Sequence, residues 1–310
     1  MNKSKASNID FIGDIHGHAD KLQELLTKLG YSYINGVYSH YERKVLFVGD
    51  YIDRGPQILA TLEIVKAMVE SGNAIALLGN HEYNALCFHI KKGDGGHLRP
   101  HLIKNLIQHK ETIKQYQNKQ ELYDSYIEWY KTLPLFYEAE TFRAVHACWD
   151  SNQIDLLRSK LIDNRLNNEL IQESVKRGPD FYYAIDDILK GKEINLPEGK
   201  TFLDKDGTIR KKIRIKWWLN PAIATYKAIS VLPLEDLKDE PIELGLLKNL
   251  DFYTASQKPI FFGHYWLDGE PTLYRTNICC LDYSVAKKGK LVAYRFDGEQ
   301  ELRNEKLVYV

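Results

Sequence analysis

The sequence has no apolar run approaching the roughly 20 residues that a membrane helix requires, and its first residues, Met1 to Asn8, lack the apolar core of an export signal. It has no excess of either charge: 42 Lys and Arg face 42 Asp and Glu among 310 residues. A strongly basic chain would imply non-specific nucleic-acid binding, so nucleic acid is not an expected partner, although a local basic groove would escape this count. Cysteine is scarce. Cys87, Cys148, Cys279 and Cys280 form no CxxC pair, which argues against a structural zinc site. Four reduced packing thiols and a cytoplasmic setting are expected. Internal repeats and low-complexity linkers are also missing. What remains is an ordinary globular composition, 44% hydrophobic and 27% charged, long enough to bury a substantial core.

Three times in the first third of the chain, a short apolar stretch runs into a polar cluster. Ile9 to Ile12 leads to Gly13-Asp14-Ile15-His16-Gly17, Lys44 to Val48 to Gly49-Asp50-Tyr51-Ile52-Asp53-Arg54-Gly55, and Ala74 to Leu78 to Gly79-Asn80-His81-Glu82. Between them lie helical patterns. Leu22, Leu25, Leu26 and Leu29 share one face at i, i+3, i+4 and i+7, and Gly30 supplies the stop. This strand–helix alternation predicts an α/β sheet, with each cluster at a strand's carboxyl end, where ligand sites in such sheets gather. Two later strands end in His146 and in Gly263-His264.

The residue types suit divalent metals. Asp14 and His16 offer oxygen and imidazole nitrogen two positions apart, Asp50 a carboxylate able to bridge, Asn80 a neutral carbonyl, and His146 and His264 further imidazoles. Six such groups make a dinuclear site plausible, and two ions lower the pKa of a water and clamp a phosphoryl oxygen. Manganese is the first expectation; iron and zinc share these ligands. In the same loops Arg54 presents a planar fork matched to phosphate. His81 is placed to protonate a leaving oxygen, with Asp53 holding its ring. Arg54, Asn80 and His81 are the substrate-binding candidates. His109, with His40, His89, His97 and His101, belongs to no motif and is read as structural or surface. The Lys104 to Lys119 charges are read as a solvated helix face.

GDIHG, GDYIDRG, GNHE, VHA and FGH, in that order, resemble the phosphoprotein phosphatase family of metallophosphoesterases in its bacterial branch. The tail ICCLDYSVAKKGKLVAYRF is similar to that family's closing strands. The resemblance implies a calcineurin-like β-sandwich flanked by helices. It places Asp14, His16 and Asp50 on one metal, Asp50, Asn80, His146 and His264 on the other, and implies attack by a metal-bridging hydroxide without a phosphoenzyme. One domain over 1–310 is expected, with a helical insertion at 83–143 and a cap-like insertion at 151–216.

The departures concern the substrate. Cys148 stands where the family has glycine, and Tyr283-Ser284 stands where Thr-Gly is expected. Trp217-Trp218-Leu219-Asn220-Pro221 resembles the WSDP element, but no arginine follows it shortly, leaving Arg177, Arg214 or Lys216 as alternatives. Trp217 and Trp218 are read as core in preference to base-stacking. The Asp204-Lys205-Asp206-Gly207 turn lacks the acidic spacing of a calcium loop. A phosphomonoesterase acting on phosphoproteins is the first expectation, because Asp53 completes the proton-donating pair. The alternative is a hydrolase of dinucleoside polyphosphates, since bacterial dinucleoside tetraphosphatases resemble the chain in the same motifs. A non-catalytic phosphate-binding scaffold is the reading from another class.

Overall fold

The computed structural model describes residues 8–93, 95–203, 209–232, 239–247 and 252–310. Two sheets carry the architecture. Their strands are β1 (Ile9–Ile12), β2 (Lys44–Phe47), β3 (Ala74–Ala76), β4 (Phe136–Glu138), β5 (Arg143–Val145), β6 (Ile260–Phe262), β7 (Ile278–Cys280), β8 (Asp282–Tyr283), β9 (Lys290–Phe296) and β10 (Leu307–Tyr309). The first sheet runs β8-β9-β1-β2-β3 with β10 also on β9, and the second runs β7-β6-β5-β4. β1, β2 and β3 are mutually parallel in register Phe11 to Leu46 and Leu46 to Ile75. β5, β6 and β7 are parallel through Ala144, Phe261 and Cys279.

Period-two alternation explains why these strands read as unbroken apolar runs. Ile9, Phe11, Leu46, Phe261 and Cys279 lie in one buried cluster, whereas Ile12, Val45, Phe47, Ile260, Phe262 and Cys280 lie in another. The first cluster fills the space between the sheets, where Phe11 of one stacks on Phe261 of the other at 3.6 Å between ring centres. The second lies under helices. The α/β reading therefore resolves into a sandwich with helices outside, as the resemblance implied. Cys279 and Cys280 point to opposite faces, and all four cysteines are buried free thiols.

Helices α1 (Ala19–Lys28) and α2 (Ile58–Glu70) cover the first sheet through Leu22, Leu25, Leu26, Leu62, Val65 and Met68. The predicted face of α1 is buried, and Gly30 follows it with φ +87°. Next come α3 (Asn80–His89), α4 (Ile103–Gln115), α5 (Gln120–Tyr130), α6 (Ser151–Lys160), α7 (Asn168–Ser174) and α8 (Asp180–Lys190). A hairpin that the sequence reading passed over pairs Ser32–Ile34 with Val37–Ser39. Its turn is Asn35-Gly36, both at positive φ, as a two-residue type I′ connection demands. Between α8 and β6, Ile194, Ile213, Ile215, Tyr226 and Ile229 form a small separate core. Within the cap-like insertion Glu193–Asn195 pairs with Lys212–Arg214, while the Asp204 to Gly207 turn lies outside the described residues. Among those described, no helix is long and apolar enough to cross a membrane.

Candidate metal centre

Because β1, β2 and β3 run parallel in one sheet and β5 and β6 in the other, their carboxyl ends come out along the same edge of the sandwich. Asp14 and His16 follow β1, Asp50 follows β2, Asn80 opens α3 after β3, His146 follows β5 and His264 follows β6. All six are at least nine-tenths buried. The loops approach so closely that side chains are excluded. A Cβ on Gly263 would lie 1.8 Å from Asp14 Oδ1, and one on Gly49, itself at φ +112°, would meet Gly79 Cα at 2.6 Å. These glycines admit neighbouring ligand loops rather than a metal or phosphate directly. The backbone is strained here: His16, Asp50, Asp53, Arg54, His264, Trp266 and Ser284 all take positive φ, which non-glycine residues hold only when surroundings over-determine it.

Asp50 sits at the middle. Its Oδ2 is 3.6 Å from His16 Nε2, and its Oδ1 is 3.4 Å from His146 Nε2. Donor atoms of His16, Asp50 and His81 lie within 4.8 Å of one another, and so do those of Asp50, His146 and His264. Asp14 stands beside these groups, its Oδ2 accepting the His264 amide at 3.0 Å.

The donor set fits divalent ions. His16 Nδ1 donates to the Ile52 carbonyl and His146 Nδ1 to the Val48 carbonyl, so each presents a bare Nε2 lone pair to the site. The His146 lone pair faces Asn80 Oδ1 at 3.0 Å, and two acceptors so placed call for a cation between them. Asp14 Oδ1 and His16 Nε2 have no hydrogen-bond partner among the described residues, and buried polar atoms rarely go unsatisfied. Burial, with Asp282 and Asp50 nearby, pushes the Asp14 carboxyl well above its usual range. Burial and the His81 charge lower His16 to about 3. Buried carboxylates beside imidazoles that present bare lone pairs are what a cation site looks like from the protein's side.

A second layer holds this one. Glu82 is fully buried and accepts from the Asp50, Tyr51 and Gly79 amides at 2.9, 2.8 and 3.1 Å, tying two ligand loops together. Burial and the Asp50 charge raise it to about 8. Asp53 Oδ2 meets His81 Nδ1 at 2.5 Å. Burial opposes the charge on both residues. Even so, His109 and His81 hold Asp53 far below the usual carboxylate range, while Asp50 and Asp53 raise His81. His109 is the correction to the sequence reading: its Nδ1 reaches Asp53 Oδ1 at 2.7 Å from α4, and it is buried. Thr112 Oγ1 donates to the same oxygen. The missed signal was the spacing of Asn105, His109 and Thr112, a buried polar stripe on a helix otherwise read as solvated.

Arg54 is exposed and makes no ion pair with Asp53; its guanidinium lies 4.2 Å from the Trp266 ring centre. Trp266 in turn stacks near the His16 ring at 5.4 Å. Trp217 and Trp218 are only 2% exposed and belong to the core, so Trp266, two residues beyond His264, is the indole at the site. Of the three alternative phosphate cations, Arg214 is the one whose charge is felt at His264, which burial first and Arg214 next hold well below its usual range.

Comparison with known proteins agrees with this geometry. Residues 7–202 match the model of the calcineurin-like phosphoesterase family. The chain is 34% identical over 140 residues to bis(5'-nucleosyl)-tetraphosphatase PrpE (asymmetrical) of Oceanobacillus iheyensis, covering 45% of this chain and 54% of that relative. It is 49% identical over 74 residues to the protein of that name from Geobacillus sp. strain WCH70, covering 24% and 30%. The chain therefore spans about half the length, or less, of the curated relatives it matches. Among solved structures, a cold-active protein tyrosine phosphatase superposes over 95% of this chain and 78% of its own with TM-score 0.50 at 17% identity, a likeness of fold alone. With the motifs, the sandwich and the family match in agreement, the chain belongs to the calcineurin-like phosphoesterase family.

Proposed function

We propose that the chain hydrolyses a phosphoanhydride bond of dinucleoside polyphosphates, the alternative reading of the sequence, rather than phosphoproteins. The observation that carries this is the match to bis(5'-nucleosyl)-tetraphosphatases, 34% identical over 140 residues in one and 49% over 74 in another. Asp53 favoured monoesters because it completes a proton-donating pair. That pair also fixes the His81 ring whatever group departs, so it does not decide between the two substrates.

In this reading Asp14, His16, Asp50, Asn80, His146 and His264 hold two divalent ions, with Asp50 shared and manganese the first candidate. Such ions supply an activated water and a clamp on the phosphoryl oxygens. The chain's own groups do the rest. Arg54, lying over Trp266, has no carboxylate partner among the described residues and binds the attacked phosphate bidentately. Protonated His81, its ring fixed by Asp53, gives its proton to the departing phosphate oxygen. Asn80 and His81 orient the phosphate between them. With four reduced thiols, a cytoplasmic setting belongs to the same proposal.

The test is turnover of the manganese-loaded chain on diadenosine tetraphosphate, a phosphotyrosine peptide and a phosphothreonine peptide. A higher kcat/KM on the tetraphosphate, releasing ATP and AMP, is expected. Faster turnover of either peptide overturns the proposal and restores the protein-phosphatase reading.

A further inference from the structure

Beside the metal centre, with Trp266 common to both, lies a cleft of about 610 Å³ whose lining includes Trp266, Lys287, Lys288 and Lys290 together with the carboxylates Asp268 and Glu270. Lys287 Nζ lies 4.4 Å from the Trp266 ring centre, and Arg54 lies 4.2 Å from it. Two cations thus gather at one indole that itself stacks beside His16. Lys290 is neutralised by Glu270 at 2.5 Å. Among the described residues, no carboxylate pairs with Arg54, Lys287 or Lys288. A cation–π contact at an exposed site is weak, too weak to gather two like charges for its own sake. The surplus positive charge is therefore available to an anion.

The cleft is also rigidly built. Asp282, only 1% exposed, accepts the Trp266 amide at 2.7 Å through Oδ2 and the Ser284 amide at 3.0 Å through Oδ1. One buried carboxylate thus pins the loop carrying Trp266 to the turn carrying Lys287. Ser284 opens that turn at φ +58° where the family has glycine, and Lys288 closes it at φ +65°. Left-handed backbone at two non-glycine residues persists only where the surroundings over-determine it, so the turn carrying Lys287 and Lys288 is held in one conformation.

We propose that this cleft is a polyphosphate subsite. With the attacked phosphate at Asp50 and Arg54, the remaining phosphates of the substrate run past the Trp266 indole to Lys287 and Lys288. The inference rests on the preceding reading of the function and adds what selects the substrate. A monoester has no second phosphate to place there, whereas a tetraphosphate chain does, so Lys287 discriminates by chain length.

The experiment compares wild type, Lys287→Ala and Lys287→Arg on diadenosine tetraphosphate and on p-nitrophenyl phosphate, with free manganese held constant. In Lys287→Ala the ratio of kcat/KM values, tetraphosphate over aryl phosphate, is expected to fall on the order of ten-fold, mostly through KM, the worth of one charge-assisted contact. Lys287→Arg restores most of it. A second arm measures inhibition of aryl phosphate hydrolysis by inorganic tripolyphosphate and by orthophosphate. The tripolyphosphate Ki should rise about ten-fold in Lys287→Ala, well beyond any change for orthophosphate. Equal losses on both substrates, or parallel shifts of both inhibitors, overturn the subsite. If wild type cleaves the aryl phosphate but leaves the tetraphosphate intact, the proposed function fails, and the tripolyphosphate arm still decides whether the cleft binds phosphate chains.

Discussion

His109 Nδ1 lies 2.7 Å from Asp53 Oδ1, although the two residues are 56 positions apart and His109 comes from α4. The other carboxylate oxygen faces His81, so one aspartate is stretched between two imidazoles, and the Tyr123 hydroxyl backs His109 at 2.9 Å from its Nε2. Replacing His109 by Ala leaves Asp53 Oδ1 with Thr112 alone and frees the carboxylate to rotate away from His81. The expected result is a loss of about ten-fold in kcat, the scale of one hydrogen bond to a charged group. It should be larger on alkyl than on aryl phosphates, because only the former need protonation. Steady-state kinetics on both classes, with metal content checked, tests this. Equal losses on both, or a loss tracking metal content, would make His109 merely structural.

That contact also shows where the sequence stopped being readable. The six metal-ligand candidates were legible because each directly follows an apolar strand, and parallel pairing carries strand ends to one edge. His109 has no such local marker. It is a polar residue on a polar helix, and only the fold decides which face of α4 turns inward. Trp266 was hidden for a related reason: four tryptophans lie near motifs, and burial, which removes Trp149, Trp217 and Trp218, is a property of packing. Asp282 looked like part of a closing strand, and nothing local says that its oxygens tie two loops together. The sandwich was legible from strand composition, whereas the strands at 193–195 and 212–214 were not, because they close a small core from residues some twenty positions apart.

Glu82 gives a prediction that needs no turnover. Its two oxygens accept amides from both the Asp50 loop and Gly79. Glu82→Gln keeps the volume but turns one acceptor into an NH2 facing backbone N–H groups. The ligand loops should loosen, and manganese affinity should fall about 10- to 100-fold, as for other residues that orient metal ligands. Titration of the metal-free protein followed by calorimetry measures it. Affinity within about two-fold of wild type would show that the loops are held by the sheets alone.

Far from the cleft, Arg43 is 7% exposed and pairs with the fully buried Asp10, its Nε 3.0 Å from both carboxylate oxygens. It also donates to the Phe296 carbonyl at 2.8 Å and to Asp297, joining β1 to β9 at their ends. Tyr31 donates to the same Asp10 carboxylate at 3.0 Å. Arg43→Ala leaves that buried charge with Tyr31 and, at 3.8 Å, the Nε of Arg295, and should destabilise the fold by about 3–5 kcal/mol. Replacing the pair together, as Asp10→Leu with Arg43→Met, should cost much less, since the unpaired charge is gone. Urea unfolding of wild type, the single and the double variant tests this. A double variant no more stable than Arg43→Ala would assign the loss to packing.

Metal removal probes the same electrostatics at the centre. Asp14, Asp50, Glu82 and Asp282 are all at most 2% exposed, and burial together with the neighbouring carboxylates raises Asp14 and Asp282 above their usual range. Cations that relieve this repulsion bind only the folded chain, so they must stabilise it. At a free concentration one hundred times the dissociation constant, the gain is about 2.7 kcal/mol for each site. Chelation should therefore lower Tm by several degrees for a chain of this size, and added manganese should restore it in a concentration-dependent way. Asp50→Asn, which weakens the carboxylate facing both His16 and His146, should abolish most of that dependence. Its own chelated Tm should not exceed that of chelated wild type: burial opposes the Asp50 charge, but His146, His81 and His16 still hold its carboxyl below the usual range, so removing the charge forfeits a favourable interaction. A manganese-dependent Tm that survives in Asp50→Asn would place the stabilising ion elsewhere in the chain.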